Sequence, residues 1–164
     1  MPYVKPYDLA EVSHVNMLTV ESAALVVLAQ GGTYERAREC AADLPTYERA
    51  LVLLAVGDAA VVAGNREAAS EAYTTSHTLA WMRVADRYRR VEAAGHYGLA
   101  LMALADRDAW RAAMHLRDAI DAIGEGWWVP RENQAALREL RRLREDVLAG
   151  VAMAPDQRRA AAAT

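Results

Sequence analysis

The feature that most constrains this chain is a long central stretch without proline. Its five prolines stand at positions 2, 6, 45, 130 and 155, so residues 46 to 129 contain none. Proline inside a helix costs about 3 kcal/mol, and these positions therefore mark the edges of segments that can be helical. Alanine, the best helix former, is abundant, whereas phenylalanine is absent and no window alternates apolar and polar residues beside a turn signal. The sequence predicts an all-α fold.

Short breaks that contain glycine, proline or acidic residues divide the chain into successive helices. Because short connections make consecutive helices antiparallel neighbours, we expect three antiparallel hairpins followed by one terminal helix. Residues 81 to 90 either prolong the fourth helix or begin the fifth. The predicted helices span about 8–30, 33–43, 47–63, 66 to the late seventies, a fifth that ends near 105, 109–123 and 131–149.

Length, charge and hydropathy exclude several classes of protein. A chain of 164 residues fits one domain, which we expect over residues 1–153, while residues 154–164 lack an apolar stripe and are expected to form a flexible tail. The formal charge of −3 disfavours a nucleic-acid binder. No apolar run reaches membrane-spanning length and no signal-peptide core is present, so we expect a soluble cytoplasmic protein without membrane partners. The single cysteine, Cys40, excludes an internal disulfide and is expected to be a small packed side chain.

Three windows of the sequence can be aligned as a weak internal repeat. They are residues 32–37, 64–69 and 107–112. Each window contains a break, a helix start and then a small residue, Ala37, Ala69 or Ala112, where two helices would cross closely. The separations are 32 residues between the first two alanines and 43 between the last two, which places an insertion near residues 81 to 90.

The middle window has the most specific surroundings. Gly57 lies seven residues before Gly64, while Ala69, Tyr73 and Ser76 follow at helical spacing. These small residues, with a bulky tyrosine between them, resemble the close-packing set of a tetratricopeptide repeat, a helix–turn–helix unit of about 34 residues. A large side chain at position 57 or 69 is therefore expected to push the hairpin apart.

The resemblance covers about residues 8 to 123, with residues 131 to 149 in the place of a terminal capping helix. It implies a stack of three hairpins, although the insertion also allows a compact bundle. In tetratricopeptide proteins the first helix of each hairpin lines a concave surface that holds a peptide or partner helix. The resemblance implies that Ser22, Asp58 and Tyr97 point toward that surface. The chain is also similar to the sensor halves of actinobacterial transcription regulators.

A pair of tryptophans, Trp127 and Trp128, stands just before the last predicted helix. Tryptophan is enriched at binding hot spots because it buries a large area with few rotatable bonds. The pair could bind a partner, bury itself against another copy of the chain in a homo-oligomer, or wedge the loop beneath the last helix. The last of these is the interpretation that we favour.

Histidines and carboxylates at helical spacing raise a second class of function. Glu11 and His14 are three residues apart, and Glu92 and His96 are four apart, so either pair can share one helix face. Helical di-iron proteins need two Glu-x-x-His motifs, and only the first of these pairs has that form. We therefore expect structural histidines, no metal and no cofactor.

Residues 81 to 90 also carry a cluster of basic and aromatic side chains that could contact phosphate or an acidic peptide. Nearby acidic residues favour an ordinary solvated helix face instead. The cluster consists of Trp81, Arg83, Arg87, Tyr88, Arg89 and Arg90.

The sequence favours a non-catalytic adaptor or regulator that binds another protein or a peptide. The alternatives are a helical metal or small-ligand binder and a structural subunit of an oligomer. No phosphate-binding loop, nucleophile elbow or zinc-protease motif is present, so we do not expect an enzyme.

Overall fold

The computed structural model describes residues 34–81, 83, 85–124, 129 and 131–150, and every regular element within them is an α-helix. The prediction of an all-α fold is confirmed. The predicted first helix, over residues 8–30, and the tail lie outside the described residues, so the single-domain boundary stays a prediction. The helices are α1 (Tyr34–Ala41), α2 (Thr46–Val62), α3 (Arg66–Ala80), α4 (Asp86–Ala105), α5 (Ala109–Gly124) and α6 (Arg131–Leu148).

The turn between α2 and α3 forms where the sequence places it. Gly64 adopts a positive φ of 75°, a conformation that glycine reaches without a side-chain clash. Asn65 then caps α3, because its side-chain oxygen accepts a hydrogen bond from the Ala68 N–H at 3.1 Å. Helix α2 therefore ends and α3 begins within three residues, which makes the two helices neighbours.

Two further breaks shape the second half of the described chain. Helix α3 ends at Ala80 and α4 begins at Asp86, so the second half of the segment 81 to 90 begins the later helix, while Trp81, Arg83 and Ala85 belong to neither helix. The turn between α4 and α5 contains Arg107, whose φ of 61° lies in the left-handed region that glycine normally occupies. This residue stands where the repeat alignment places the turn glycine.

Helix α4 lies at the centre of the described fold. Consecutive helices pack on one another, and α2 also contacts α4. One face of α4 contributes Val91 and Ala94 to a core shared with α1, α2 and α3. The opposite face contributes Ala93 and Ala100 to a second core shared with α5 and α6. Because α4 is apolar on both faces, it joins the two cores in one compact arrangement.

The closest helix contacts converge on the ring of Tyr73, which is completely buried. A Cβ atom added to Gly57 of α2 would lie 2.5 Å from the ring, and one added to Gly98 of α4 would lie 2.7 Å from it. Ala69 is also fully buried, and Ser76 donates a 2.8 Å hydrogen bond to the Ala50 carbonyl of α2. The close packing predicted for positions 57, 69 and 73 is therefore present.

Among the described residues, none of the helices combines the length and the hydropathy that crossing a membrane requires.

Candidate functional site

Three histidines on three successive helices form a row of imidazole rings. His77 of α3 stacks on His96 of α4 with ring centroids 4.1 Å apart and planes inclined by 25°. His96 is followed by His115 of α5, whose ring centroid lies 5.8 Å away. Gly95 allows this approach, because a Cβ there would lie 2.8 Å from the His77 Cβ and 3.0 Å from the Tyr73 carbonyl oxygen. The absence of a side chain at Gly95 of α4 therefore allows the adjacent His96 to stack on His77.

The surroundings of the three rings favour their neutral form. Burial lowers the pKa of His77, His96 and His115 from the usual value near 6.5, and for His96 the pKa falls to about 4. Charge on His77 or His115 lowers the pKa of His96 further, while the Asp118 carboxylate acts in the opposite direction. Because desolvation is the largest cause at each ring, we expect all three imidazoles to be uncharged at neutral pH.

Asp118 completes a compact set of metal-type ligands with two of these histidines. It follows His115 by three residues, so both side chains lie on the same face of α5. One ligand atom each from His96, His115 and Asp118 can be chosen so that all three lie within 4.8 Å of one another. All three residues are partly buried. This is a candidate site for a cation that accepts imidazole and carboxylate ligands.

Two nitrogens at this site are buried without a hydrogen bond. The Nδ1 atoms of His96 and His115 have no hydrogen-bond partner in the described part of the chain. A neutral imidazole has one donor and one acceptor nitrogen, and a buried polar atom left without a partner costs about 1–3 kcal/mol. A ligand that engages these atoms would remove that cost.

Two of the three histidines, His77 and His96, line an open cleft of about 780 Å³ between α3, α4 and α5. Its walls carry both charge signs, and Trp81, which is 60% exposed, stands at the end of α3 beside it. The lining residues comprise His77, Thr78, Trp81, Arg83, Arg89, Glu92, His96, Asp118, Asp121 and Ala122.

Much of the predicted basic and aromatic cluster is engaged within the fold. The Arg87 guanidinium lies over two rings, 4.9 Å from the Tyr47 centroid and 5.2 Å from that of Tyr88. These two tyrosines meet edge to face at 5.5 Å. Arg90 donates a hydrogen bond to Asn133 of α6 at 3.1 Å. Arg87 and Arg90 therefore help to join helices, whereas Arg83 and Arg89 line the cleft.

The structure describes two of the five residues predicted to bind a partner, and both are buried. Asp58 is 8% exposed and Tyr97 is 6% exposed, so each offers a partner little surface in this arrangement. Tyr97 belongs to the core with α5 and α6, and burial, followed by the charge of Glu139, raises its pKa to about 12. Their role in binding stays a prediction. Ser22, Trp127 and Trp128 lie outside the described residues, as do Glu11 and His14.

Sequence reasoning did not identify His77, His115 and Asp118 as a group with His96. The signal that could have found part of it is His115-Leu116-Arg117-Asp118, a histidine and an aspartate three apart on a predicted helix. Local spacing does not show that α4 and α3 present their histidines to that face.

Comparison of the chain with known proteins gave no match to a protein family, to a curated protein or to a solved structure.

Proposed function

We propose that this chain is a non-catalytic interaction module that binds a peptide or a partner helix, and that its helices form a tetratricopeptide-like stack. The packing of Tyr73 against Gly57 and Gly98 supports the stack, because small residues at such crossings are what the repeat resemblance implies. The compartment that we propose is the cytoplasm, and an adaptor or regulator is the role that such a module would fill.

The observation that carries the proposal is the exposed Trp81 beside an open cleft. Tryptophan dominates many interfaces because it supplies a large rigid anchor, and polar residues around it exclude water. Arg83 and Arg89 place positive charge on the wall of the cleft, and Glu92 and Asp121 place negative charge there. A peptide with one apolar anchor and charges of both signs would suit this surface.

A matched pair of tryptophan variants tests the proposal. Trp81 and Trp110 are 60% and 73% exposed, and only Trp81 lines the cleft. Neither substitution by alanine should disturb the core. Purified wild-type protein, Trp81→Ala and Trp110→Ala would each be used to capture proteins from a lysate of the native host, followed by quantitative mass spectrometry.

We expect a partner that the wild type and Trp110→Ala retain equally, and that Trp81→Ala captures at least about tenfold less, as for a central interface tryptophan. The captured partner would then be purified and titrated directly. Equal capture by all three proteins would refute the cleft as the binding surface, and the absence of any specific partner would refute the proposed function.

A further inference from the structure

We propose that His96, His115 and Asp118 form a binding site for a divalent first-row transition metal ion, open to the cleft between α3, α4 and α5. The site opens to the cleft in which peptide binding is proposed, but it uses none of the side chains named for that role, so either proposal can fail without the other.

The ligand types select the class of ion. Two imidazoles and one carboxylate suit zinc, iron and cobalt, whereas magnesium and calcium prefer oxygen ligands alone. Three protein ligands leave coordination positions for water or for a group from a bound molecule. Because His96 and Asp118 line an open cleft, an ion can enter the site from solvent.

The distances between the three ligand atoms are somewhat longer than in a metal-bound site, and small side-chain movements would bring the atoms to coordination distance. Zinc bonds to nitrogen and oxygen at about 2.0–2.2 Å, which separates neighbouring ligand atoms by about 3.3 Å. The three ligand atoms lie within 4.8 Å of one another, so the widest pair must approach by no more than about 1.5 Å. Rotation of the His115 and Asp118 side chains on α5 can supply this movement without a change of fold.

The surroundings of the two histidines also favour coordination. Coordination through Nδ1 would give a partner to a nitrogen that is buried and has none within the described residues. The His77 ring, stacked at 4.1 Å, holds the His96 ring in its orientation.

The carboxylate remains usable although it is already paired. Arg117 donates to Oδ1 of Asp118 through Nη2 at 2.8 Å and through Nε at 3.1 Å. Ion pairs at the surface contribute little to stability, and the second carboxylate oxygen can serve the ion. Arg117 would then orient the carboxylate from outside the coordination sphere.

The test uses the full chain, stripped of metal with a chelator and titrated with Zn²⁺ by calorimetry and with Co²⁺ by visible absorption. We expect one ion per chain, bound more tightly than about 10 µM. Asp118→Asn should weaken Zn²⁺ binding at least about tenfold. Asp121→Asn is the matched control, because Asp121 lies one turn further along α5, lines the same cleft and is outside the ligand set.

A second measurement needs no variant, in case substitution of a histidine disturbs the fold. Nitrogen resonances of the imidazoles in wild-type protein should show the change typical of coordination at His96 and His115 when Zn²⁺ is added. The proposal is overturned if neither Zn²⁺ nor Co²⁺ binds or if Asp118→Asn binds Zn²⁺ as well as wild type. It is also overturned if Asp121→Asn weakens binding as much as Asp118→Asn does, or if the resonances of both histidines stay unchanged.

Discussion

Replacing Gly57 with alanine perturbs the most crowded contact in the described fold. The added Cβ would lie 2.5 Å from Cε1 and 2.6 Å from Cδ1 of Tyr73, well inside the distance at which carbon atoms touch. The ring cannot easily move away from the added methyl group, because it is completely buried and the same ring atoms pack against Gly98 of α4. The substitution must therefore move a helix or force the ring out of its preferred rotamer.

The expected magnitude is the difference between two opposing effects. Overpacking in a close-packed core costs about 1–3 kcal/mol, and contact with three ring atoms places this case near the upper end. Alanine is favoured over glycine in a helix by about 1 kcal/mol. The free energy of unfolding should thus fall by about 2 kcal/mol, which for a chain of this length lowers Tm by about 4–8 °C. Thermal and urea unfolding followed by far-UV circular dichroism measures both quantities.

A second glycine and a second variant make the result specific to the Tyr73 contact. Gly124→Ala meets only the Leu137 Cδ1 at 3.7 Å, so it should leave stability unchanged or raise it by up to about 1 kcal/mol. In a Tyr73→Leu background, Gly57→Ala should lose its cost, because the obstructing ring is gone. A Gly57→Ala protein at least as stable as wild type would refute the crowding at this position.

Three further predictions follow from single residues. The pKa of His96 falls to about 4 on folding, so His96 takes up a proton at higher pH in the unfolded chain than in the folded one. The free energy of unfolding should therefore decrease by about 3 kcal/mol as the pH falls from about 7 to 4. In urea titrations, His96→Asn should flatten this decline. Arg107→Gly should raise Tm by relieving the left-handed conformation, worth up to about 1 kcal/mol. Ser76→Ala should lower the free energy of unfolding by about 1 kcal/mol, because the bond to the Ala50 carbonyl is lost.

Each of these has an internal comparison. Parallel stability profiles for wild type and His96→Asn between pH 7 and 4 would contradict the first, and a lower Tm for Arg107→Gly would contradict the second. Thr78→Ala is the control for Ser76→Ala, because the exposed Thr78 hydroxyl bonds only within its own helix, to the Thr74 carbonyl at 2.8 Å. Equal effects of the two substitutions would show that the bond between α2 and α3 contributes nothing.

Within the described residues, local sequence signals were sufficient for the helices and for one of the two close contacts on Tyr73. Pro45, Gly64 and Asn65 predicted where α2 and α3 begin and end, because caps and breakers act within a few residues. Gly57 and Tyr73 could be paired because they share one hairpin. The second contact, between Tyr73 and Gly98, joins different hairpins, and its register depends on how α4 docks.

The histidine site shows the limit of that reasoning. His115 and Asp118 share a face by spacing alone. Bringing His96 to them requires a particular rotation of α4 about its axis, and a helix with apolar residues on two opposite faces does not specify that rotation. Asp58 and Tyr97, which the repeat resemblance places toward a partner surface, are buried in this arrangement, and their role in binding stays a prediction.

The position of Tyr73 affects how cooperatively the described helices unfold. Repeat proteins can lose one unit at a time when neighbouring units share only a modest interface. Here the side chain of Tyr73, on α3, packs closely against glycines of both α2 and α4. Unfolding of any one of these three helices would therefore remove packing contacts from the other two. Amide protons across this trio should accordingly exchange with solvent through one shared opening event rather than helix by helix.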